Sequence, residues 1–404
     1  MFLDTLARGN PDLVRAAVEL HQAGAIPPNS YVLDLDAIRR NARLIKQAAD
    51  KAGLNVYPMT KQVGRNPLFV RAVARAGMSK LVAVDWMEAL ILARQKAQLG
   101  HVGHLVQIPR SAASSIAALS PGVWTVFNLE KAREVSNAAQ QMGRVQDLLL
   151  RVVRPGDTFY PTHDGGFALA DIVSSAREIA RLPNVRVVGV TSFPTLLFDL
   201  QKREIHLTPN METLRLAADR LRREVGLEIT QINAPGTTSA ETMQLLADAG
   251  ATHVEPGHGF TGTTPWHAYA DLPEKPAICY LSEVTDIRAA QAYVLGGGLY
   301  VDPVIPPYQV RAFVGTDGDQ ALANIADADL GSPAGIDYYG FLDRGTARVE
   351  IGDSVVFGFR VQAFVTRAHI AVVRGVSRHR PKLAGLWDVA GNRIREAAES
   401  RRIG

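Results

Sequence analysis

Cysteine is nearly absent: Cys279 is the single one among 404 residues. That excludes an internal disulfide and a cysteine-rich zinc site. It stands in the apolar run 277–281, where it reads as a core residue rather than a nucleophile. Long apolar stretches are missing as well. None approaches the roughly 18 residues that a membrane-spanning helix requires. The chain opens with Asp4 and Arg8 in place of an apolar segment of signal length, so a cytoplasmic protein is expected. A strong charge of one sign is lacking too, the formal net charge being +4. The basic residues are dispersed apart from a tail at 393–402, which reads as a solvated helix face and not a nucleic-acid arm. Neither nucleic acid nor membrane is implied as a partner. What remains is 47% hydrophobic and 21% charged, an ordinary globular composition. The length exceeds the roughly 250 residues of one β/α barrel, so a second domain is expected.

The first 27 residues read as helix, with Asn10 as a cap, Pro11 in first position and Gly24 as a stop. Pro27 and Pro28 break the chain; a strand at 31–35 and a helix over 36–52 follow. Then short runs rich in Val, Ile and Leu alternate with amphipathic helical segments. The runs lie at 55–60, 80–84, 102–108, 124–127, 147–153, 185–191, 228–232 and 252–255. This is the pattern of parallel strands buried on both faces. About eight strand–helix units predict a closed (β/α)8 TIM barrel, with an open doubly wound sheet as the alternative. After a proline-rich linker at 263–276 the pattern changes to short strands with turns, at 277–287, 291–295, 347–351, 354–357, 362–365 and 370–373. The expected organisation is an N-terminal helical extension (1–30), a β/α barrel domain (31–265) and a C-terminal mainly-β domain (266–404).

Active sites of such barrels form at the C-terminal ends of the strands. The first strand ends in Thr60-Lys61-Gln62. A lysine there can turn its amine into the barrel mouth, where partial desolvation makes it nucleophilic toward a carbonyl group. An exposed loop lysine would look the same in sequence. After the seventh strand comes Asn233-Ala234-Pro235-Gly236-Thr237-Thr238-Ser239-Ala240-Glu241. Thr238 and Glu241 have capping-box spacing. Gly236, Thr237, Thr238 and Ser239 offer N–H and hydroxyl groups at a positive helix end, which suits a phosphate. After the eighth strand comes Glu255-Pro256-Gly257-His258-Gly259-Phe260-Thr261-Gly262. The loops after strands seven and eight are the usual barrel phosphate site. Each alone also fits an ordinary turn and cap; together with the lysine they point to a phosphate-bearing ligand.

In these segments the sequence resembles the pyridoxal 5'-phosphate (PLP) enzymes of the alanine racemase fold (fold type III), and within them the branch of ornithine racemase and YhfX-like proteins. Tyr31-Val32-Leu33-Asp34-Leu35-Asp36 resembles the opening strand, which in the family joins the C-terminal domain. Tyr57-Pro58-Met59-Thr60-Lys61 resembles the lysine strand, which assigns Lys61 the Schiff base with PLP. Thr191-Ser192-Phe193 stands where alanine racemases carry Thr-His-Phe, so Ser192 replaces a histidine near the pyridine ring. Thr237-Thr238-Ser239 is similar to the phosphate-binding Asn-Ser segment. Glu255-Pro256-Gly257-His258 is similar to the Arg-Phe-Gly-Ile segment, which puts Gly257 and His258, beside Gly259, at the phosphate and Glu255 at the pyridine nitrogen. Gly352-Asp353-Ser354-Val355 resembles a turn of the C-terminal domain.

The resemblance implies a PLP-dependent amino-acid racemase or epimerase that works as a homodimer. A carboxylate at Glu255 in place of the family's arginine would favour a protonated ring, and with it a quinonoid-type intermediate. Lys61 serves one face of the substrate. The tyrosine segment that usually serves the other is not found; Tyr300, Tyr338, Tyr339 and His163 are the candidates. Arg65 and Arg154 are candidates for the substrate carboxylate, or else surface ion-pair residues. Three other readings stay open. One is a PLP lyase like D-threonine aldolase or D-serine dehydratase. Their metal-binding His-x-Cys pair has only His369 here, followed by Ala371 in place of cysteine, and no metal is expected. The others are a non-catalytic PLP-binding protein and a barrel for a different phosphorylated ligand.

Overall fold

The structure is a computed structural model that describes residues 1–301, 308–330 and 335–394. Of the helical tail expected over 393–402, residues 395–402 lie outside the described residues. The chain forms two compact units. One comprises Met1–Ala42, Lys61–Ala72 and the described residues from Phe260 onward; the other comprises Arg43–Thr60 and Val73–Gly259.

The first unit begins with two helices, Phe2–Gly9 and Pro11–Gln22, in place of the single helix expected. The break falls at Asn10, whose φ of −154° is outside the helical region. Pro11 takes the first helical position. The Asn10 side chain does not cap; its amide donates to Asp34 Oδ2 (3.0 Å) and to the Pro276 carbonyl (2.8 Å). Strand β1 (Ser30–Asp34) follows, fully buried.

The second unit is the barrel. Its strands are β2 (Asn55–Val56), β3 (Lys80–Ala83), β4 (Gln98–Val102), β5 (Val123–Val126) and β6 (Gln146–Val153), with β7 (Phe167–Ala168) pairing alongside β6, then β8 (Val185–Thr191), a hairpin β9 (Leu196–Asp199) and β10 (Glu204–Leu207), β11 (Gln231–Asn233) and β12 (His253–Val254). The sheet runs β2-β12-β11-β8-β6-β5-β4-β3, all parallel. A parallel bridge between Met59 and Val82 brings the β2 segment back to β3, which nearly closes the ring of eight. Helices between successive strands make the parallel pairing possible. The third strand lies at Gln98–Val102, not at 102–108, and Val102 is its last residue. The apolar run after it is loop. The helix Pro209–Arg220 has Pro209 in first position, and the Thr208 hydroxyl before it donates to the Pro194 carbonyl (2.6 Å).

Returning to the first unit, the strands after the barrel are β13 (Ile278–Arg288), β14 (Gln291–Leu295), β15 (Val310–Gly315), β16 (Ile325–Asp329), β17 (Tyr339–Asp343), β18 (Ser354–Phe357), β19 (His369–Arg374) and β20 (Lys382–Trp387). Their order is β14-β17-β16-β15-β18-β13-β1-β19-β20, and β14 also pairs with β13, so six strands close on themselves. Among the described residues of this sheet, only β1 with β19 is parallel. Strands β15, β16, β17 and β20 were not expected, whereas the expected strand at 347–351 is irregular chain ending in a turn, and that at 362–365 holds a short 3-10 helix (Ala363–Val365). Leu13, Val14, Ala17 and Val18 of the second helix pack with Val32, Leu281, Phe313 and Val356 into one core, in which Cys279 is fully buried. No helix among the described residues is long and apolar enough to cross a membrane.

Candidate functional site

The C-terminal ends of the barrel strands carry a polar cluster. Glu255, next after β12, is 3% exposed. Its Oε1 accepts from His101 Nδ1 (2.5 Å) on β4 and from Asn233 Nδ2 (2.9 Å) at the end of β11. Its Oε2 lies 3.2 Å from Nδ1 of His104. On its other side His101 Nε2 meets Thr125 Oγ1 of β5 at 2.5 Å. Burial raises the Glu255 carboxyl, but His104, His101 and the bonds from His101 and Asn233 prevail and hold it below the usual carboxylate range. Tyr57 stacks on His253 (5.2 Å between ring centres). Burial, helped by the Glu255 charge, pushes the Tyr57 phenol up to about 12. Burial pulls His253 down to about 4.

The spacing of His101, His104 and Glu255 would admit a small cation. However, two donors on one tetrahedral metal, with bonds of about 2.0–2.1 Å, stand roughly 3.3 Å apart. Nδ1 of His101 and Oε1 of Glu255 are closer than that and are separated by a hydrogen bond.

The two glycine-bearing turns lie together. A Cβ at Gly259 would sit 2.7 Å from the Thr238 carbonyl, and one at Gly236 2.6 Å from that of Leu196, so both positions demand glycine. Ser239, 1% exposed, has a buried Oγ with no hydrogen-bond partner among the described residues. A phosphate oxygen beside it would supply one, which fits the expected group. The cap differs from expectation. Thr238 turns its hydroxyl to Gly236 O (3.3 Å), and one residue later the Ser239 N–H donates to Thr242 Oγ1 (2.9 Å). The N–H groups of Thr237 and Thr238 also bond within the barrel unit, to Leu196 O and Gly236 O (both 2.9 Å). His258 begins a one-turn helix directly after Gly257.

Ser192 is 1% exposed and accepts from Asn210 Nδ2 at 3.2 Å. The next residue, Phe193, has the rings of His104 (5.7 Å), Tyr160 (5.5 Å) and His163 (6.4 Å) around it. Arg154 is engaged by Glu212 and, at 3.8 Å, by Asp157. Arg151 on β6, by contrast, is buried. It donates to the His163 carbonyl, lies 4.9 Å from the Phe127 ring centre, and has an Nε with no partner among the described residues. Burial, opposed by Asp164, pulls it down to about 10. Sequence reasoning passed over Arg151, His101 and His104. The available signal was the rarity of such side chains inside an apolar barrel strand.

Lys61 follows Thr60 in the chain and opens a short 3-10 turn in the first unit. Thr60 is held by its hydroxyl bond to Glu88 (2.8 Å). The Lys61 Nζ is 5.5 Å from the Phe364 ring centre, and the Arg65 guanidinium is 5.1 Å from the same ring. Arg65 donates to the Val389 carbonyl at 3.2 Å. Tyr300, Tyr338 and Tyr339 are exposed, at 42%, 59% and 49%. Arg367 lies over the Tyr338 ring, and Tyr339 meets Tyr293 edge-on.

Comparison with known proteins agrees with this geometry. Residues 33–265 match the family model described as alanine racemase, N-terminal domain, and residues 279–383 match YhfX-like, C-terminal domain. The uncharacterized protein YhfX of Escherichia coli (strain K12) is 39% identical over 396 residues, 98% of this chain and 100% of that one. Among solved structures, D-threonine aldolase from Filomicrobium marinum superposes with a TM-score of 0.64 at 17% identity, over 91% of this chain and 96% of that one. Alanine racemase of Clostridium difficile 630, in complex with cycloserine, does so with a TM-score of 0.60 at 15% identity, over 90% and 99%. The chain therefore belongs to the alanine racemase family of fold-type III PLP enzymes and carries the C-terminal domain of its YhfX-like branch.

Proposed function

We propose that this protein is a PLP-dependent amino-acid racemase or epimerase, located in the cytoplasm and working as a homodimer. The observation that carries the reading is the buried carboxylate of Glu255, held ready by His101 and Asn233 at the strand ends beside two glycine turns and the unpartnered Ser239 hydroxyl. In this reading Lys61 is the covalent attachment point, Ser239 and the turns Gly236–Thr238 and Gly257–Gly259 hold the phosphate, and Ser192 lies at the ring. When bound, PLP supplies the electron sink that makes the substrate Cα–H acidic.

The residues of this chain do the rest. The Lys61 amine accepts the Cα proton on one face: an N–H bond forms, the C–H bond breaks, and its electron pair stays on the carbon side. An acid on the opposite face returns a proton to carbon, giving the mirror-image amino acid with no net change in atoms. Tyr338 or Tyr339 of the partner subunit suits that role, because both phenols are exposed in the single chain and free to enter a neighbour's site. His163, near Phe193, is the candidate within the same chain. Arg151 is a better candidate for the substrate carboxylate than Arg154, whose charge is already met by Glu212, or Arg65, which bonds to Val389.

The test is incubation of the holoprotein with single D- and L-amino acids in heavy water, read by mass spectrometry and chiral chromatography. Deuterium at Cα with inversion is expected for at least one amino acid. Release of an aldehyde, a ketoacid or ammonia would replace the racemase with a lyase, and no exchange with any amino acid would contradict catalysis.

A further inference from the structure

We propose that His101 is a positioning residue for the cofactor ring, holding the Glu255 carboxylate in place as the acceptor for the pyridine nitrogen through a directed chain from Thr125. This rests on the reading that PLP occupies the barrel mouth.

The chain follows from donor and acceptor inventory. Glu255 as a carboxylate only accepts, so the 2.5 Å contact requires the proton on Nδ1 of His101. With Nδ1 protonated, Nε2 of the neutral ring is an acceptor, and the Thr125 hydroxyl at 2.5 Å donates to it. The tautomer is therefore set from both sides. All three side chains are buried, at 0% for His101 and Thr125 and 3% for Glu255, so water does not compete for these bonds. Asn233 fills the remaining capacity of Oε1 at 2.9 Å and braces itself on Thr191 Oγ1 at 3.2 Å. The carboxylate plane is thus fixed through Oε1, leaving Oε2, with His104 at 3.2 Å, as the oxygen that presents charge to a ring nitrogen. β4, β5, β11 and the residue after β12 each contribute one member, so the strand ends themselves set the geometry.

Two substitutions separate positioning from packing. In His101→Asn the side-chain amide nitrogen stands where Nδ1 stood, so the donor to Glu255 is retained. In His101→Leu the volume is kept and the donor lost. Holoprotein reconstituted with PLP carrying nitrogen-15 in the ring is read by nitrogen NMR. The expected result is a protonated ring nitrogen in wild type and His101→Asn and an unprotonated one in His101→Leu, with PLP bound in all three. A ring nitrogen still protonated in His101→Leu, or unprotonated in wild type, overturns the proposal. Ligand-free protein labelled on histidine tests the chain itself, and Thr125→Val provides a milder change should His101→Leu not fold. An Nδ1–H resonance, strongly deshielded, is expected from His101 and should be lost in Glu255→Gln; in Thr125→Val, Nδ1 should keep its proton while the Nε2 signal moves. An Nε2–H tautomer in wild type overturns the proposal. If wild type fails to take up PLP, the functional reading fails, while the ligand-free spectrum still decides the chain.

Discussion

Glu255 concentrates the chemistry at the residue scale. It is a buried carboxylate whose bonds outweigh the cost of its burial. Glu255→Gln keeps the shape and removes the charge, so Cα exchange should slow by about 10²–10³-fold, the usual effect of deleting one buried electrostatic partner, with PLP still bound. Steady-state exchange rates in heavy water check this. His253 gives a pH dependence of known sign. Its folded pKa is depressed to about 4 from 6.5, so the unfolded chain binds the extra proton first. Stability is therefore lost as pH falls from about 6.5 to about 4, by roughly 3 kcal/mol at the limit. Urea unfolding at pH 7 and pH 4.5 should reveal that loss in wild type and a much smaller one in His253→Gln. Glu255, lowered instead, adds stability that disappears only below the ordinary carboxylate range.

At the scale of elements, the two turns that follow β11 and β12 must touch, and Gly259 makes that possible. Gly259→Ala would force a methyl against the Thr238 carbonyl at 2.7 Å. PLP affinity should fall by about tenfold or more, with a stability cost of about 1–3 kcal/mol as for other overpacked sites. Cofactor titration and thermal melting measure the two effects. Much of the barrel was legible in sequence, because short buried β-branched runs such as Val185–Thr191 carry a strong signal. The third strand was misplaced because Gln98-Leu99-Gly100-His101-Val102 is interrupted by glycine and by a histidine whose partner is remote. His101 and Glu255 are 154 residues apart in the chain, and only the closed barrel brings them together. The lost strands of the β domain have another cause. Ile325–Asp329 alternates Asp with Ala, so its buried face is too small to register as apolar. Lys61 and the glycine turns drew notice because each follows a readable strand; Arg151 did not, because it sits inside one.

For the whole molecule, the N-terminal helices are part of the β domain's core and not an appendage. Leu13 is fully buried among residues from β1, β13, β15 and β18. Leu13→Ala should cost about 2–5 kcal/mol, seen as a lower midpoint in denaturant unfolding. The same β domain carries the exposed tyrosines offered to a partner subunit, so Lys61→Ala and Tyr339→Phe chains, each unable to invert an amino acid alone, should recover part of the racemisation once mixed. The proposed catalysis depends on covalent attachment of PLP at Lys61. Borohydride reduction of the full-length holoprotein, followed by peptide mass spectrometry, tests this most directly. The account predicts a single pyridoxyl-phosphate increment on the peptide that contains Lys61 and none in Lys61→Ala. Labelling of a different lysine, or a bound cofactor that reduction leaves unattached, would contradict it.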